Sequence, residues 1–193
     1  GLPMNLGTAA LRGIVGPLFI GHGTQKLFGW FDGPGLDATA GGFEQMGLRP
    51  GRRHAIAGGA AEALGGALLT LGALTPLAGS LITGAMVTAI RKVHAPNGPW
   101  VTKGGWEYNA VLIGAVAALV EHGPGSPSVD DKLFPSLRGP FWTALAVGSG
   151  VAGSYLVTEK FNAPAPEAAP ETAAGEPASP NGVTQPETAG AGA

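Results

Sequence analysis

The chain contains no cysteine. That absence excludes disulfides, thiol catalysis, iron–sulfur ligation and cysteine-based zinc sites. Charge is scarce as well: 12% of the 193 residues are Asp, Glu, Lys or Arg, against about 25% in an average soluble domain. The few cations sit beside apolar runs and form no patch of the kind that nucleic acid requires, so nucleic acid is not a partner. No G-x-G-x-x-G follows a strand, and neither a phosphate loop nor a Ser-His-Asp order is present. From Asn162 onward Lys, Arg and aromatic residues are missing altogether, while Pro, Ala, Glu and Gly recur. Such a segment buries too little apolar surface to offset its ordering entropy, so residues 161–193 read as a disordered tail. Its glutamates (Glu167, Glu171, Glu176, Glu187) account for the acidic balance of the chain, which is positive without them.

What is abundant is glycine, 34 residues, set in apolar segments, and mean hydropathy is +0.22 despite the polar tail. A membrane span needs roughly 20 largely apolar residues. Five segments qualify as candidates: 6–27, 55–74, 77–93, 108–120 and 141–157. Their Gly–Gly and Gly-Ser-Gly steps (Gly58-Gly59, Gly65-Gly66, Gly148-Ser149-Gly150) let helix backbones approach closely in lipid. Met4 reads as the initiator, and the first segment reads as a span rather than a signal peptide. Thr75-Pro76 reads as a tight hairpin, which makes the second and third spans antiparallel neighbours. Residues 43–48 predict a short interfacial helical turn ending at Gly47. The bias of Lys and Arg toward the end of the first span predicts that this side, here side B, faces the cytoplasm together with the tail.

Two polar, aromatic signatures stand at the side-B boundaries. One runs His22-Gly23-Thr24-Gln25-Lys26-Leu27-Phe28-Gly29-Trp30-Phe31. The other combines His94-Ala95-Pro96-Asn97-Gly98-Pro99-Trp100 with Gly104-Gly105-Trp106-Glu107-Tyr108-Asn109. Trp and Tyr favour the interface, where ring and polar handle are both satisfied. Ionisable residues inside spans are costly and need partners. Counting from Thr75-Pro76 predicts that Glu62 and Arg91 lie at one level, with His22 close by, in a polar cluster opening toward side B. Gln25 and Lys26 share the His22 face of the first helix, and Lys26, His94, Asn97 and Glu107 are expected at the rim, with Trp106 beside it. Three uses remain open for such a cluster: fastening helices, holding a quinone or another small molecule, or moving protons. Without a His pair at i, i+4, a metal site is not expected. Arg12 is expected to snorkel toward the opposite interface, side A, while His54 and His122 are expected to face solvent at helix ends.

In these residues the chain resembles the DoxX family of membrane proteins. The resemblance rests on 21–31, Gly33-Pro34-Gly35-Leu36, Ala61-Glu62-Ala63-Leu64-Gly65-Gly66, 94–98 and 104–109. It implies an all-α membrane fold, a compact four-helix transmembrane bundle over residues 4–122. A connecting loop (123–140), a fifth transmembrane helix (141–160) and the tail depart from that pattern. The family implies a place in a bacterial plasma-membrane oxidoreductase assembly of the respiratory or oxidative-stress kind. Lacking redox ligands, the chain reads as a non-catalytic subunit or scaffold whose partners are other membrane subunits and the bilayer, with no intrinsic cofactor. The alternative is a quinone-interacting subunit in which His22, Glu62 and Arg91 form the pocket, with Gln25, Lys26, His94, Trp106 and Glu107 around it.

Overall fold

The computed structural model describes residues 5–165. Among them the chain is helical throughout: α1 (Leu6–Phe28), α2 (Gly35–Gln45), α3 (Gly51–Leu71), α4 (Thr75–Ala89), α5 (Glu107–His122), α6 (Val129–Leu133) and α7 (Pro140–Tyr155). Helical winding continues past α4 through Ile90–His94 and past α7 through Leu156–Lys160, in the wider π form. At 1.5 Å per residue the long helices measure about 22–35 Å. Residues 1–4 and 166–193, with the initiator reading and most of the expected tail, lie outside the described residues.

The helices α1, α3, α4 and α5 enclose one core. Val15 and Phe19 meet Leu69, then Ala78, Ile82 and Met86, then Leu112, Val116 and Leu119. The helix α7 packs outside this quartet, chiefly on α4. Backbones meet closely at glycines. A Cβ on Gly66 would stand 2.5 Å from the Gly16 carbonyl oxygen, and one on Gly150 would stand 2.7 Å from the Ser80 oxygen. These are the small-residue contacts read from the sequence.

The outer surface is apolar along the helices. Ile14, Leu18, Leu64, Leu77, Val111 and Leu145 are all exposed. A water-facing bundle would place polar residues there. Exposed aromatics mark both ends: Trp30, Phe31, Trp100 and Trp106 at side B, Phe134 and Phe141 at side A. Among the described residues one helix, Pro140–Lys160, is long and apolar enough by itself to cross a membrane.

Three expectations shift. The turn between α3 and α4 lies at Gly72–Leu74, and Thr75-Pro76 opens α4 instead of forming the hairpin. The side-B helix is longer and begins earlier than residues 43–48, although Gly47 does adopt the left-handed conformation (φ 79°) just beyond it. The start of the expected tail is held in place: Asn162 donates to the Gly47 carbonyl and accepts from the Arg49 N–H.

Candidate functional site

The central ionic contact joins α1 to α3. Lys26 Nζ donates to Glu62 Oε2 at 2.6 Å, with the two side chains 26% and 10% exposed. Helix geometry brings them together. Gly23 and Gly59 let α1 lie against α3, and a helical side chain leans toward its own N-terminus, so Lys26 reaches down to the buried carboxylate.

Arg91 is elsewhere. Its guanidinium donates to Thr158 Oγ1 at 2.9 Å and to Glu159 Oε1 at 2.7 Å, and it stacks on Tyr155 with 3.6 Å to the ring centroid. The expected pairing of Glu62 with Arg91 is therefore replaced by two separate pairs. The reason is register. With the turn centred on Ala73, Glu62 mirrors Gly84, and Arg91 stands about 10 Å farther toward side B. On either side of Gly84, hydroxyls line the α4–α7 seam: Ser80 with Ser149 and Thr88 with Ser154, each at 2.8 Å.

The other expected members disperse. His22 is exposed and lines a shallow groove with Pro17, Gln25 and Phe31, away from Glu62. Gln25 donates to the Phe31 carbonyl. His94 Nδ1 lies 2.7 Å from the Gly104 oxygen, which also accepts from Asn97 Nδ2. Glu107 accepts from the Val101 N–H. These contacts order the 95–106 loop, where Trp106 is exposed. The eight residues thus divide among the α1–α3 pair, the α4–α7 seam, the His22 groove and the side-B loop.

One cavity of about 370 Å³ does adjoin the Lys26–Glu62 pair. It lies over α4 between α3 and α7 and is almost wholly apolar. His54 and Lys92 line it, and Phe43, Met46 and Leu48 roof it toward side B. His54, expected in solvent, is 5% exposed, with Nε2 3.2 Å from the Arg49 oxygen. His122 is exposed, as expected.

Side A carries a second polar centre that sequence reasoning missed. Asp130, 1% exposed, accepts from the Leu74 and Thr75 N–H groups and from the Thr75 hydroxyl. It caps α4 and holds Leu74 at φ 45°, a conformation costly for leucine. Arg12 donates to the Pro124 and Pro127 carbonyls of the α5–α6 loop, so this cation ends in protein rather than at the interface. The local signal was Ser128 three residues before Asp131, a helix start. Nothing local pointed to Leu74.

Among the described residues no group of His, Asp and Glu is placed to hold a metal. An all-helical bundle with an apolar outer face and interior charges joined helix to helix is of the membrane-associated class. Residues 7–95 match the DoxX family model, so the chain carries a DoxX domain, spanning α1 through α4 and the winding that follows. That family is membrane-associated. Comparison with curated proteins and with solved structures gave no match.

Proposed function

We propose that the chain is a multi-span subunit of a plasma-membrane redox assembly, crossing the bilayer with α1, α3, α4, α5 and α7. It carries no redox centre and acts as a scaffold for subunits that do. One observation carries the scaffold reading: three cations of the helical segments, Lys26, Arg91 and Arg12, each tie one element to another. Lys26 holds Glu62, Arg91 holds the end of α7, and Arg12 holds the α5–α6 loop. Such pairs fix helix geometry, and a lone charge there would be costly. Quinone contact gains less support, because His22, Glu62 and Arg91 share no pocket.

The four-helix DoxX-like unit and the added fifth span then act as one body, with side B in the cytoplasm. Exposed Arg53, Lys103 and Lys160 give that face a basic surface for partner subunits. Extraction in mild detergent tests the proposal. The expected result is co-purification with stoichiometric subunits that contain a redox centre; a chain that purifies alone contradicts it.

A further inference from the structure

The cavity over α4 is not used by the scaffold reading, and its two ends differ in chemistry. It follows α4 and the winding after it from Ser80 to Lys92, about 18 Å of helix. Its floor is made of small residues, Gly84, Ala85 and Gly150 among them. The hydroxyls along the α4–α7 wall are bonded to one another or to carbonyls, which leaves that wall apolar. The ionisable lining is the Lys26–Glu62 pair at the level of Gly84 and, toward side B, His54 and Lys92.

These charges do not balance. Lys26 and Glu62 neutralise each other at 2.6 Å. Lys92 faces one carboxylate, Glu159, at 3.6 Å, and that same oxygen already takes the Arg91 guanidinium at 2.7 Å. Two cations thus share a half-exposed Glu159, and Lys92 makes no other ion pair among the described residues. A cation with donors to spare, at the interface end of an apolar slot, calls for an anionic head joined to a hydrocarbon chain. The volume lies at the small end of the range for ligand pockets, which favours one chain over two. Phe43, Met46 and Leu48 cover the side-B end of the slot, and Asn162 bonds the adjoining Gly47 carbonyl and Arg49 N–H.

We infer that the slot between α3 and α7 binds a single-chain anionic amphiphile of the fatty-acid type. Its carboxylate lies at Lys92 and its chain runs along α4 toward Ser80. This inference rests on the reading of the chain as membrane-spanning.

The test places the full chain in phosphatidylcholine nanodiscs and titrates spin-labelled palmitate, with unlabelled hexadecanol, a neutral quinone and phosphatidylglycerol as competitors. The inference expects one saturable palmitate site, with hexadecanol competing about tenfold more weakly for want of the charge. Lys92→Gln should bring palmitate down to the hexadecanol level. Ala57→Phe, on the exposed α3 side of the slot, should weaken both without touching the α4–α7 seam. Equal competition by hexadecanol, preferential displacement by the quinone, displacement by phosphatidylglycerol, or wild-type binding in both variants would each overturn it. A chain that does not enter the bilayer overturns the membrane reading as well. A chain that inserts normally but binds no palmitate saturably overturns this inference alone.

Discussion

Glu62 illustrates how a sequence poor in charge uses what it has. Its carboxylate is buried on the inner face of α3, and Lys26 is the donor that keeps it from being a lone charge. Removing one partner should cost more than removing both, because the survivor is left without a bond inside the bundle. Lys26→Met is expected to lower stability by about 2 kcal/mol. Lys26→Met combined with Glu62→Gln should recover part of that loss, as read by a double-mutant cycle of unfolding in detergent. Additive losses would mean that the two side chains do not interact. That Glu62 needed an inward partner was legible in the sequence, and so was the presence of Lys26 near it. The choice of Lys26 over Arg91 was not, because it depends on where the α3–α4 turn is centred. That centre is set by Asp130, more than fifty residues away, which stabilises a left-handed Leu74 that no local pattern announces.

At the scale of elements, glycine positions decide which helices touch. The sequence displayed the Gly–Gly steps but could not say which glycine of each faces a neighbour. Gly150 and Gly148 separate the two cases on α7. A Cβ at Gly150 would meet the Ser80 oxygen and Thr83 Cβ at 2.7 Å, whereas one at Gly148 meets nothing within 4 Å. Gly150→Val is therefore expected to loosen α7 from α4, at a cost of about 2 kcal/mol. Gly148→Val should be close to neutral in the same unfolding assay. Equal effects would show that α7 does not pack through this face. The element boundaries came out well from hydropathy, within a few residues for every long helix. The side-B helix α2 did not, because its short stretch rich in Gly, Ala and Asp is low in overall hydrophobicity and packs on α3.

At the scale of the molecule, the proposed fivefold crossing puts Asn5 and Ala165 on opposite sides. It is supported by an apolar exterior along the long helices, aromatics at both ends and interior charges bonded within the protein. The DoxX domain covers the first part of that bundle, while α7 adds its own polar seam and anchors to Gly47 and Arg49 beyond it. The absence of native cysteine allows a direct measurement. Single cysteines replacing Thr102 on side B and Ser136 on side A, both exposed, can be probed in intact cells with a membrane-impermeant maleimide. The account predicts labelling at 136 before lysis and at 102 only after it. Labelling of both positions in intact cells, or of neither until lysis, would contradict the spanning topology.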